Sequence, residues 1–227
     1  MGNKRFSWLK KGLAVLRKDL RTEFRTRCVC SALFMFAVTT MVTVSFSVGG
    51  FVPDTNISAA LLWVILFFSA MTGLTRTFGQ EEETGTVIAL KMAADPEPVF
   101  IGKYLFNILL LLSLAVLIVP LYLIMFNLPV IMAGGFVAAL FLGVIGLAGA
   151  GTILAAIVSK AGAKGSLLTV LSFPILLPLL AGAISATRTA LGYGAPEALA
   201  LDLWLLVFYN GIVSAVSFLL FEHVWNG

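Results

Sequence analysis

Six uninterrupted apolar runs, at residues 28–51, 57–75, 104–126, 130–158, 166–186 and 200–221, constrain this chain more than anything else in it. Each is close to or longer than the roughly 20 residues a helix needs to cross a hydrocarbon core of about 30 Å. Lipid offers backbone groups no hydrogen-bond partner, so only helix bundles and closed barrels span it. Runs this long, without strand-like alternation, select helices. Charge is scarce to match: 11% of the 227 residues are charged and 60% are hydrophobic, where a soluble domain carries about a quarter charged. The expected fold is an all-α integral membrane protein of six transmembrane helices.

Nine of the fifteen Lys and Arg fall in residues 4–27. There Phe6, Leu9, Leu13, Leu16, Leu20 and Phe24 recur at steps of three and four, while Lys10, Lys11, Arg17, Lys18, Arg21 and Arg25 project elsewhere. Residues 1–27 therefore read as a basic amphipathic helix lying in the headgroup region against anionic lipid, ahead of a six-span domain at 28–227. A basic tail that only sets orientation is the plainer alternative. The remaining cations are Arg76, Lys91 and Lys103, then Lys160 and Lys164, and finally Arg188. Only Arg188 lies on the opposite side of the expected spans, so both termini and the 76–103 and 159–165 loops are expected in the cytoplasm.

The runs are also informative for what they lack. The first five contain no Asp, Glu, Lys, Arg or His, and the sixth carries charge only at its ends, Asp202 and Glu222. Ion-coupled carriers bury ionisable relay groups, and intramembrane enzymes need acid–base groups or metal ligands; neither class finds its parts here. No catalytic residue and no metal site is expected. Cys28 and Cys30 read as membrane-edge thiols. Gly135, Ala139 and Gly143, with Gly146, Gly149 and Gly151, form a small-residue surface for close helix approach, within the chain or across a dimer. Pro174 and Pro178 are expected to bend the fifth span. Trp8, Trp63, Trp204 and Trp225 suit an interfacial belt. Residues 186–200 are expected as a small interfacial helix or re-entrant turn.

One polar stretch separates the second and third spans. Residues 76–103 hold Glu81, Glu82 and Glu83, a break at Gly85, a possible cap at Thr84 or Thr86, and a short apolar face of Val87, Ile88 and Leu90 that Asp95–Pro96 ends. Two helical turns do not stand alone in water. Three acids suit anionic lipid poorly, which favours a protein groove over the membrane surface; a solvated loop is the plainer reading.

Glu83–Thr84–Gly85–Thr86, Leu90, Pro96 and Gly102–Lys103 opening the third span resemble the coupling loop of type-2 ABC exporter permeases. The triple acid directly after Thr75–Arg76–Thr77–Phe78, with six spans and no soluble domain, is similar to the haem exporter protein B family of the cytochrome c maturation system. The resemblance implies a membrane subunit in the bacterial cytoplasmic (inner) membrane. Its implied partners are a separate cytoplasmic ATPase (haem exporter protein A), membrane proteins C and D, and a periplasmic haem chaperone. It also implies that ATP is bound by the ATPase and haem by partner subunits, with no cofactor in this chain and no nucleic acid. The residues agree on dependence, since no G-x-x-x-x-G-K-[ST] phosphate loop is present. The competing expectations are a permease of the same architecture for a lipid, peptide or drug, and an assembly scaffold without transport.

Overall fold

The structure, a computed structural model, describes residues 2–49, 54–83, 85–86, 90, 92, 95–160, 166–192 and 194–226. Among them the regular elements are all helices: α1 (Gly2–Thr26), α2 (Cys28–Val48), α3 (Thr55–Leu74), α4 (Arg76–Glu83), α5 (Pro96–Met125), α6 (Ala133–Lys160), α7 (Ser166–Leu191) and α8 (Pro196–Asn226). Six of these are long and apolar enough to cross a membrane, so the chain is a multi-pass membrane protein.

The bundle is built around α6, which packs against α7, α8 and α5. Its small residues make that possible. A Cβ on Gly143 would enter the Trp63 ring, one on Gly151 would meet Leu74, and one on Gly146 would meet Leu179 and Asn210. The small-residue surface is thus consumed inside the chain. Within the chain, burial of the apolar spans falls from 78% in α6 to 22% in α2 and 11% in α8, so the last two present most of their surface outward from the bundle.

Three sequence expectations are corrected. Trp63 is not an interfacial anchor: it is fully buried, and its indole N–H donates to Thr187 Oγ1 at 2.9 Å. A buried indole needs such a partner, and α7 supplies it. Residues 186–200 form no separate element, because α7 continues to Leu191 and α8 begins at Pro196. The third span starts eight residues before its apolar run. Asp95 is the N-cap of α5 and Pro96 occupies its first turn, where the missing N–H costs nothing. Asp95–Pro96 therefore opens a helix.

The two ends of the bundle differ. At one end the backbone N–H groups of Ile131 and Met132 both donate to Ala190 O, and Arg188 Nη1 reaches Asn56 Oδ1 at 3.4 Å. At the other end lie α1, α4, the start of α5 and Lys160, the end of α6. α1 runs beside α5, with Gly12 at Pro98, Val15 at Gly102 and Asp19 at Lys103. Leu16 is buried as well, while Leu13 and Phe24 remain 62% and 77% exposed. The helix thus has three faces: one on protein, one apolar and open, and one basic. The sequence pattern treats the first two as a single lipid-facing stripe.

Candidate functional site

The segment between α3 and α5 is anchored by charge. Lys103 Nζ is 2.5 Å from Glu81 Oε1, 2.7 Å from Thr77 O and 3.2 Å from Asp19 Oδ2. Lys18 Nζ lies 2.8 Å from Glu81 Oε1 and 3.2 Å from Asp19 Oδ1. Lys103, Glu81 and Asp19 are all buried, whereas Lys18 keeps about half its side chain in solvent. Two cations and two carboxylates balance, which is what makes burial at a membrane edge tolerable. Burial opposes ionisation of Glu81, but the Lys103 ammonium and then Lys18 outweigh it and hold the carboxyl below its ordinary range. Burial likewise opposes the Lys18 charge, and Glu81 and Asp19 together raise its pKa nonetheless. α1, α4 and α5 are tied at this one point.

Glycine at 102 lets α1 come close enough to form the tie. A Cβ there would sit 2.7 Å from Val15 Cβ and 2.8 Å from the Gly12 carbonyl oxygen. From the cluster a polar ladder enters the bundle. Thr77 Oγ1 donates to Asn107 Oδ1 at 3.1 Å, Asn107 Nδ2 to Thr152 Oγ1 at 2.7 Å, and Thr152 Oγ1 to Ala148 O at 2.6 Å. All three side chains are buried, and each hydrogen bond spares a polar group an unmet demand in hydrocarbon. A cavity of about 20 Å3 beside Asp19, Arg76, Thr77 and Lys103 has room for one water.

α4 stops where Gly85 adopts φ +65°, a left-handed conformation that a side chain disfavours. The Thr86 N–H then bonds back to Glu81 O at 2.9 Å, the six-to-one bond of a Schellman turn. Thr86 O accepts from Leu90 N–H at 3.0 Å, starting a fresh turn in which Leu90 is half-buried against the core. A second ion pair, Lys11 Nζ to Asp95 Oδ2 at 2.9 Å, fastens the far end of the segment to α1. The hydrogen bond from Lys11 and its charge hold the exposed Asp95 carboxyl low. Val87 and Ile88 lie outside the described residues, as do the side chains of Glu82 and Glu83.

Of the residues singled out from sequence, Glu81, Gly102 and Lys103 come together in the buried brace, whereas Gly85, Thr86 and Leu90 shape the turn and Pro96 opens α5. Sequence reasoning missed Lys18, Asp19, Thr77 and Asn107. A signal existed for Asp19: it and Glu23 are the sole acids of the first 27 residues and stand four apart, on one helical face. His223, the chain's one histidine, is exposed near the end of α8, its Nδ1 3.1 Å from Leu219 O.

No curated protein matches the chain. The family model described as CcmB protein matches residues 10–220, taking in about two thirds of α1, the first five spans, most of the sixth and the braced segment between α3 and α5. The chain therefore belongs to the CcmB family and is a permease component of the haem exporter in cytochrome c maturation.

Proposed function

We propose that this chain is the non-catalytic membrane half of an ABC complex, driven by a separate cytoplasmic ATPase, haem exporter protein A, that docks on residues 76–103. The observation that carries this reading is the buried brace. It fixes a short polar helix between two spans to both α1 and the span that follows, so that a push on the segment reaches α5 as a rigid displacement. Roles then divide along the segment. Glu81, Gly102 and Lys103 hold it, while Glu82, Glu83, Gly85, Thr86, Val87, Ile88, Leu90 and Pro96 supply or shape the surface the ATPase meets. Residues 1–27 form the interfacial element and 28–227 the spanning domain. Both termini lie in the cytoplasm of a bacterial inner membrane, with Arg188 outside.

Within the complex, membrane proteins C and D stand beside this chain, and the ATPase cycle serves release of the haem-loaded periplasmic chaperone. ATP sits in the ATPase, and haem is ligated by a partner. Replacing Glu82 and Glu83 with Lys tests the docking. Co-purification of the ATPase and cytochrome c maturation are expected to fail while membrane insertion is unchanged, since the change lies outside the hydrocarbon. Full ATPase binding and full maturation by this variant would reject the reading.

A further inference from the structure

A groove of about 700 Å3 opens between α1, α2 and α5, walled by Leu20, Phe24, Phe34, Phe106, Leu110 and Leu117. We propose that it binds one anionic phospholipid of the surrounding bilayer, an acyl chain lying along α5 and the phosphate meeting Arg27. The proposal rests on α1 lying at the membrane boundary, as read above, and not on ATPase docking.

Depth, charge and access point to that occupant. From Phe106 to Leu117 the α5 wall rises 11 residues, about 16 Å at 1.5 Å per residue. That is about half the hydrocarbon thickness, the reach of one leaflet. The mouth is the junction of α1 and α2, where Arg27 adopts φ 52° and its exposed side chain lines the groove. Glu23 lines it as well. Its Oε1, however, accepts the Cys30 N–H at 2.8 Å and so satisfies a donor in the first turn of α2. Among the described residues no carboxylate forms a salt bridge with Arg27, and it is the one cation lining the groove. Leu13 and Phe24, eleven residues apart and so on one side of α1, keep apolar surface open that suits hydrocarbon. A haem fits the mouth less well: one guanidinium would face two propionates, no histidine lines the groove, and Cys30 would be a lone axial ligand.

The test is native mass spectrometry of the full chain in detergent, titrated with phosphatidylglycerol or phosphatidylcholine of matched acyl chains. One phosphatidylglycerol per chain is expected to survive, with about fivefold preference over phosphatidylcholine, the factor that about 1 kcal/mol per cation near an anionic surface gives. Arg27→Asn, chosen because Asn tolerates the left-handed conformation, should erase the preference. Arg27→Lys should keep it, and Arg25→Ala should not change it. Ser113→Trp, which fills the wall without touching charge, should lower retention of both lipids. Equal retention of the two lipids by the parent chain overturns the proposal, as does an undiminished preference in Arg27→Asn or displacement of the lipid by one haem per chain. ATPase co-purification does not enter the readout, so either reading can fail alone.

Discussion

Replacing Lys103 by Met isolates what the buried brace contributes. The residue is 3% exposed, and its ammonium faces Glu81 at 2.5 Å and Asp19 at 3.2 Å. Removing it leaves two buried carboxylates sharing Lys18. Deleting one partner of a buried pair costs about 3–5 kcal/mol, because the remaining charge is stranded. Lys18 survives the change, 2.8 Å from Glu81 and 3.2 Å from Asp19, and its solvent contact softens the loss, so the lower bound of about 3 kcal/mol applies. For a chain of this size each kcal/mol moves a thermal midpoint by about 2–4 °C, giving a drop of about 6–12 °C. The assay is thermal unfolding of the detergent-solubilised chain at one fixed scan rate, since irreversible unfolding makes the midpoint depend on rate. Adding Glu81→Gln removes the stranded charge and leaves Lys18 opposite Asp19, so the double variant should regain at least half the loss. A Lys103→Met midpoint equal to the parent's, or a double variant below the single one, refutes the reasoning.

Gly102→Val should destabilise by about 1–3 kcal/mol, because the contact it meets at 2.8 Å is backbone and cannot rotate away. Gly79→Ala, with open space around its Cβ inside α4, should instead stabilise by about 0.5–1 kcal/mol; the two midpoints should move in opposite directions. The brace also sets a pH window. Glu81 has its folded pKa depressed, so its contribution is fully present above the ordinary value of 4.5 and is lost as pH falls through the folded value. Lys18 has its folded pKa raised, so its contribution is fully present below 10.5 and is lost as pH rises through the folded value. Midpoints measured across pH should form a plateau between those limits, and Glu81→Gln should remove the acid-side decline attributed to this group. Haem added to the purified chain without partners should give no sharp low-spin Soret band at one per chain, and a band abolished by His223→Ala would contradict that.

Hydropathy made the six spans legible because burial in lipid leaves a run of side chains no polar choice. The charge partition was legible for a related reason: Arg188 lies with Asn56 at the end of the bundle opposite Lys18 and Lys103. What the sequence hid depends on tertiary contact. Three consecutive glutamates look alike, and only the place of α4 against α1 and α5 turns Glu81 inward. Trp63 sits near the start of its run, as a belt residue would, yet Gly143 leaves room for the ring and Thr187 bonds the indole. The early start of α5 was written in Asp95, Pro96 and Glu97, a helix-opening trio that hydropathy alone passes over because the first turns remain polar.

The contrast between the two ends of the bundle bears on how such a subunit can be driven. At the Arg188 end the joints are backbone hydrogen bonds and a long neutral–cation contact, made between elements already adjacent in the bundle. At the Lys103 end ion pairs add to packing: α1 lies along α5 through Gly12 and Val15, and α4 buries Phe78, but the charges are what join α4 to both α1 and α5. α4 has only eight residues, too short to persist in water alone, and α1 is a helix with an open apolar face. A short helix held by charge is positioned by its partners, so its place changes when theirs does. The ladder Thr77–Asn107–Thr152 carries that dependence inward, because moving α4 without α5 and α6 would strand three buried polar groups in hydrocarbon. Displacing the segment between α3 and α5 therefore either moves α5 and α6 with it or breaks bonds that lipid cannot replace.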